Sequence, residues 1–273
     1  MKGRLLAGLA VNGVLLLAAF MALAPLAWMV SVSFMPAGAS NTVPPPLLPH
    51  EPTLEHYRAL FGRGGMGRTF INSLLIALAT TLISTLFNTM AGYAFAKLQF
   101  RGREKLFSAL LAALVIPGQV AMLPLFLMLK GMGLVNSYAG VLIPGLAGIF
   151  GIFLVRQYAR NVPDELLEAA RLDGAGEFRI FFSVVLPILA PVLVTLAVFS
   201  FLGSWNDFMW PLIVLTDSEL HTLPVALASL SREHVQDNEL MMAGAVVTVL
   251  PVLLLFLALQ RYYMAGLTMG SVK

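Results

Sequence analysis

The stretch Asn161–Pro191, NVPDELLEAARLDGAGEFRIFFSVVLPILAP, decides how the chain is read. It is the longest charged stretch between two hydrophobic runs, and it reads as two short helices around a glycine turn. Pro163 suits a first helical turn, and Asp164 and Glu165 sit favourably near the positive end of the helix dipole. Leu166, Leu167, Ala169, Ala170 and Leu172 form an apolar stripe. Gly174 stops the helix, because a left-handed residue past the end is cheapest for glycine. Glu177 to Val185 restarts as helix, and Pro187 leads into the next apolar run. A short amphipathic helix held between membrane spans cannot bury its stripe in lipid, so it needs a protein partner.

Working outward, the 273 residues are 59% hydrophobic and 11% charged, against roughly 25% charged in soluble domains. The charges are confined to short segments between long apolar runs, which makes this a polytopic membrane protein. Its net charge of +3 is small and argues nothing about nucleic acid. A bilayer needs about 20 apolar residues per helical span. Six runs meet that: Leu9–Phe34, Asn72–Ala96, Leu106–Leu129, Ala139–Val155, Ile188–Leu215 and Met241–Leu259. The fourth is punctuated by Gly140, Pro144, Gly145, Gly148 and Gly151. The first is preceded by Lys2 and Arg4, but its apolar run continues through Val32, longer than a usual signal-peptide core. It is read as a retained span.

Orientation follows from the basic residues. With the N-terminus inside, the inner segments hold Lys2, Arg4, Lys97, Arg101, Arg103, Lys105, Arg156, Arg160, Arg171, Arg179, Arg261 and Lys273. The outer segments hold only Arg58, Arg63, Arg68, Lys130 and Arg232 of the 17. Both termini and the Asn161–Pro187 loop are therefore expected in the cytoplasm. The Pro-rich segment Met35–Arg68 reads as an extended outer connector. The acidic loop Thr216–Leu240 is expected to face water outside. The resulting division is residues 1–68 for the first span and connector, 69–262 for a core of five spans, and 263–273 for a cytoplasmic tail.

Several chemistries are excluded or weak. There is no cysteine, so disulfides and thiol ligands are absent. His50, His56, His221 and His234 lack ligand-like spacing, and no metal site is expected. No GxxxxGK[ST] run occurs, so there is no P-loop. Gly62–Gly67 formally matches GxGxxG, but it precedes a membrane run instead of following a strand, and reads as linker. No serine or acid assembles with a histidine, and an enzyme is not expected. Asp207, in Trp205-Asn206-Asp207-Phe208-Met209-Trp210, is the one acid inside an apolar run. Such a group costs several kcal/mol unless it is paired or faces water. Two readings stand: lining of a solute path, or anchoring at an interface where Trp205 and Trp210 form an aromatic belt. Asn72, Asn88 and Gln119 pose the same question more weakly.

Glu168-Ala169-Ala170, Gly174, Val184 and Leu186-Pro187 reproduce a spacing of EAA, three residues, G, nine residues, a branched apolar residue, one residue, LP. Here the chain resembles the permease subunits of bacterial ABC importers, with valine where isoleucine is usual. Tyr93-Ala94-Phe95-Ala96, Phe100-Arg101-Gly102-Arg103, Gly151-Ile152-Phe153-Leu154, Arg156-Gln157, Trp205-Asn206-Asp207, Thr222-Leu223-Pro224, Gln260-Arg261-Tyr262 and the ending Gly266–Lys273 resemble the carbohydrate-uptake branch. The likeness is greatest to the smaller permease of maltose/trehalose-type systems.

The resemblance implies an all-α protein of the bacterial cytoplasmic membrane, with the type I ABC importer permease fold and six transmembrane helices. It places a cytoplasmic coupling helix between helices 4 and 5. Leu166, Glu168, Ala169, Ala170, Leu172, Asp173, Gly174 and Pro187 would form the ATPase-coupling element, with Leu166, Ala169, Ala170 and Leu172 against the ATPase. Gly266, Thr268 and Gly270 would belong to a tail reaching the ATPases. The implied partners are a second homologous permease, two ATPase subunits that bind the ATP and Mg, and an external solute-binding protein. This chain would bind no cofactor of its own. Ser204, Trp205, Asn206 and Asp207 are the candidate substrate-path residues for a neutral sugar, an oligosaccharide first. A stand-alone secondary transporter, a structural membrane subunit, and an importer of glycerol phosphate or a polyol are the rival readings.

Overall fold

The computed structural model describes residues 2–62, 65–233 and 237–269. Arg63 and Gly64 of the glycine-rich run, His234, and Gly270 of the expected tail lie outside the described residues. Every regular element among the described residues is helical: α1 (Lys2–Val32), α2 (Glu55–Gly62), α3 (Met66–Lys97), α4 (Arg103–Ala113), α5 (Gly118–Gly131), α6 (Tyr138–Leu142), α7 (Ile149–Ala159), α8 (Asp164–Leu172) and α9 (Glu177–Ile180). A π-turn over Phe181–Val185 leads into α10 (Leu186–Ile188), followed by α11 (Ala190–Trp205), α12 (Met209–Val214), α13 (Leu223–Glu233) and α14 (Asn238–Met269).

Among the described residues, three stretches are long and apolar enough to cross a membrane unbroken: Gly8–Val32, Met66–Lys97 and Asn238–Gln260. The other expected spans are bent helix pairs, so the total reaches six when each pair is one span. Arg103–Ala113 and Gly118–Gly131 meet at 104°. The cause is Pro117, extended at ψ 130°, whose ring and missing N–H forbid a continuous helix. Tyr138–Gly145 and Ile149–Ala159 meet at 41°, across an extended Gly148. Glu177–Ile188 and Ala190–Trp205 meet at 83°, with Pro191 in the first turn of the second helix. The run from Ile188 to Leu215 is therefore not one helix: α11 ends at Trp205, and Asp207 stands in the break before α12.

The chain divides into two compact units, Met1–Gly67 with Ala226–Pro251, and Arg68–Val225 with Val252–Lys273. In the first, the large apolar side chains of α1 from Leu9 to Leu23 are exposed, as a helix in lipid requires. The connector is better anchored than its prolines suggest. His56 and Leu60 of α2 are buried, His56 Nε2 lies 2.9 Å from the Met35 carbonyl, and the Ser33 and Tyr57 hydroxyls meet at 2.8 Å. Glu239, expected in a water-facing loop, is instead buried and accepts the Ser40 N–H at 2.7 Å. A buried backbone donor must be paired, and here a carboxylate supplies the acceptor.

Among the described residues of the second unit, two apolar cores lie along α3. One gathers Tyr93, Val155, Ala159, Leu167, Ile180, Phe181 and their neighbours. The other gathers Ile76, Leu129, Val141, Trp210, Val214 and Leu215. Ile76 and Tyr93 lie on the same helix, about 25 Å apart at 1.5 Å per residue.

Candidate functional site

The first core carries α8. Its sequence, DELLEAARL, opens on Asp164 and Glu165 and closes on Arg171, matching charge to the dipole at both ends. Gly174 then takes φ +80°. The Ala175 N–H reaches the Ala170 carbonyl at 2.9 Å and the Gly174 N–H reaches the Arg171 carbonyl at 3.0 Å, the paired bonds of a left-handed helix stop. A Cβ on Gly174 would meet nothing within 4 Å, so the backbone angle alone demands glycine.

The stripe on α8 divides between two faces. Leu167 is buried, and Ala170 is half-buried against the same core. The sequence pattern assigns Ala170 to the partner face; the helix turn carries it onto the chain's own Leu167 side instead. Leu166, Ala169 and Leu172 remain exposed, Leu172 at 89%, and their spacing of three puts them along one edge. Glu168, Asp173 and Pro187 are exposed as well. Phe178 and Phe182, shortly after the helix, are also exposed.

Residues to which the sequence assigns no role hold this helix in place. The Lys97 side chain is only 7% exposed. Its Nζ donates to Asp164 Oδ1 at 2.7 Å, to the Val162 carbonyl at 2.6 Å and to the Arg160 carbonyl at 3.3 Å. At the other end, Arg171 grips Glu177 through two bonds, Nε to Oε1 at 2.7 Å and Nη2 to Oε2 at 3.3 Å. The Tyr93 hydroxyl donates to the same carboxylate at 3.1 Å. The hydrogen bond to Glu177 holds the Arg171 guanidinium above its ordinary pKa. Lys97 has one visible signal in the sequence, a cation closing an apolar span.

The second core borders a cavity of about 320 Å³ lined by Thr80 of α3, Met122 and Leu125 of α5, Ser204, Asp207 and Trp210, among others. Among the described residues, no Lys or Arg lines it. The Ser204 hydroxyl lies 3.4 Å from that of Thr80, joining two helices across the wall. Asp207 Oδ1 accepts the Trp210 N–H at 3.3 Å, so the carboxylate caps α12 while lining the cavity.

Of the four expected path residues, Ser204 and Asp207 reach this cavity. Trp205 is buried between Phe70 and Phe201, at ring separations of 5.6 and 5.7 Å. The Asn206 amide turns back to donate to the Leu202 carbonyl at 2.9 Å. Trp210 is buried too, its Nε1 donating to the Gly140 carbonyl at 3.2 Å. With both indoles inside the protein, they do not form an interfacial belt. Asn72 is structural, donating to the Glu219 and His221 carbonyls and accepting from Tyr138. Asn88 is buried beside Gly151 of α7, and Gln119 is exposed. The backbone at Gly266 and Thr268 continues α14, which runs to Met269.

Residues 88–268 match the family described as binding-protein-dependent transport system inner membrane component. The chain is 39% identical over 258 residues to the arabinooligosaccharides transport system permease protein AraQ of Halalkalibacterium halodurans, covering 93% of this chain and 92% of that one. It is 34% identical to the melibiose/raffinose/stachyose import permease protein MelC of Bacillus subtilis, over 83% of each chain. It is 32% identical to the lactose transport system permease protein LacG of Rhizobium radiobacter, over 95% and 94%. The fold is similar to a chain of a bacterial ABC transporter involved in import of the acidic polysaccharide alginate, with a TM-score of 0.85 at 22% identity over 96% and 98% of the two chains. A second alginate transporter structure, in complex with a periplasmic protein carrying an alginate pentasaccharide, matches with a TM-score of 0.64 at 15% identity over 96% of each.

Proposed function

The chain belongs to the family of binding-protein-dependent transport system inner membrane components, and on that premise we propose that it is one permease subunit of an ATP-driven importer of neutral oligosaccharides. The observation that carries the reading is α8: a glycine-stopped helix fixed to its own chain on one face, with Leu166, Ala169 and Leu172 bare on the other. A permease without a P-loop receives work by contact. Leu166 and Leu172 enter an apolar cleft on a separate ATPase subunit, Ala169 allows close approach, and Glu168 and Asp173 make polar contacts around it. Gly174 sets the turn that presents the helix. Pro187 marks the return into the membrane.

ATP and Mg bind on two ATPase subunits, not on this chain. Their closure moves α8 as part of a rigid-body switch that turns the solute path outward. A second, homologous permease completes that path, and an external binding protein delivers the solute. With this orientation α8 and both termini are cytoplasmic, and the residues after 262, including Gly266, Thr268 and Gly270, face the ATPases. The cavity at Thr80, Ser204 and Asp207 offers hydroxyls and a carboxylate, with no basic residue among the described ones. Such a lining suits sugar hydroxyls and repels phosphate, which sets glycerol phosphate aside. The names of AraQ, MelC and LacG support an oligosaccharide and leave maltose and trehalose as two among several.

The test is to purify the complex and reconstitute it in vesicles with its binding protein. A cysteine at Leu172 should cross-link to a co-purified ATPase, and uptake should follow ATP. Uptake driven by an ion gradient with no ATPase present would make the chain a secondary transporter.

A further inference from the structure

We infer that Tyr93 and Lys97, one turn apart on α3, are positioning residues that make α8 and α3 move as one body, carrying force from the docking helix to the cavity wall at Thr80. The inference rests on the docking role of α8 proposed above.

Lys97 satisfies all three donors of its ammonium group with acceptors between the end of α7 and the start of α8. Two of those acceptors are carbonyls just past α7, and the third is the Asp164 carboxylate in the first turn of α8. A nearly buried cation held this way joins the ends of three helices. Tyr93 reaches the opposite end of α8 through Glu177 and Arg171. Its ring is buried and packs 5.7 Å from that of Phe181. Asp164 and Arg171 are separated by about 10 Å along α8. A helix pinned at one end could swivel; pinned at both, with Leu167 buried between, it cannot turn without taking α3 along. Thr80 lies on the same helix as Tyr93, about 20 Å away. A movement imposed on α8 therefore arrives at the cavity without crossing a flexible joint.

The experiment uses the complete importer in vesicles. The chain has no cysteine, so spin labels on Phe87→Cys and Glu165→Cys, both exposed, report the α3–α8 separation. In the parent complex one distance should persist from the nucleotide-free to the ATP-trapped state. With Lys97→Met and Tyr93→Phe together, the distribution should broaden and shift between states, and solute moved per ATP should fall by about fivefold or more. Lys97→Arg should restore most of that ratio. Should the double variant fail to assemble, Tyr93→Phe alone, which keeps the buried ring, should lower the ratio in the same direction. A distance that changes between states in the parent complex, or an unchanged ratio in the variants, overturns the inference. If the cysteine at Leu172 still cross-links to the ATPase in that case, docking stands and only the rigid link falls; if it does not, the docking reading falls first.

Discussion

The backbone of Gly92 passes Val155 so closely that a Cβ at position 92 would stand 2.6 Å from the Val155 Cβ and 2.9 Å from the Arg156 nitrogen. This contact brings α3 and α7 together beside the attachment points of α8. Gly151 repeats it one turn away on α7, where a Cβ would collide with the Asn88 amide. Helices in lipid gain little from excluding water between them, and small residues let their backbones approach.

Gly92→Ala should therefore destabilise the subunit by about 1–3 kcal/mol, the usual penalty for overfilling a packed contact. Thermal unfolding in detergent would show it as a lowered midpoint. Combined with Val155→Gly, the two losses should be less than additive, because the second change removes the two Val155 side-chain atoms that the first one strikes and leaves only the Arg156 nitrogen. Strict additivity would mean that the two helices are not held at this point.

Gly174 separates strain from crowding. Gly174→Ala meets no atom, yet the left-handed backbone should cost it about 1–2 kcal/mol. Gly174→Asn should cost less, since asparagine is the usual substitute at such a stop. Uptake should fall in the order Gly, Asn, Ala, while the amount of protein in the membrane stays level. Equal uptake for all three would show that the turn does not matter to coupling.

Leu172 should matter to the complex and not to the subunit. Its side chain is 89% exposed, so Leu172→Asp leaves the subunit's own packing intact. Burying a leucine against a partner contributes about 1.5–3 kcal/mol, so ATPase retention on the purified permease should weaken by about tenfold or more. Undiminished ATPase retention would place the docking face elsewhere.

Asp207→Asn keeps an oxygen for the Trp210 N–H and removes the charge. Assembly should therefore be unaffected, while the initial uptake rate falls by about tenfold, the scale of one hydrogen bond to a charged group. A normal rate would reduce Asp207 to the cap of α12.

The α8 segment is legible in the sequence because its signals are local. Helix start, glycine stop and apolar stripe act within a dozen residues, and each has a fixed cost that a sequence displays. The membrane character of the chain is equally plain, since long apolar runs have no other solvent. Spans broken at Pro117 and before Ala190 are less so, because a membrane helix tolerates proline when neighbouring groups take up the freed carbonyls. Whether a given proline bends the span is settled by those neighbours.

What the sequence determined by itself was the membrane class, the position of the apolar runs and the existence of a glycine-stopped amphipathic helix, all of which depend on composition and short-range spacing. Only the tertiary structure decided which side of that helix is free. It turned Ala170 inward, left Leu166, Ala169 and Leu172 outside, and brought Lys97 to Asp164 and Tyr93 to Glu177 across 67 and 84 residues of chain. It likewise moved Glu239 from a loop to a buried acceptor for the Ser40 N–H, and it sorted Ser204 and Asp207 from Trp205 and Asn206. The reason is common to all of the polar cases. A buried polar group goes wherever its hydrogen bonds can be completed, and its partners are distant in sequence and carry no local mark.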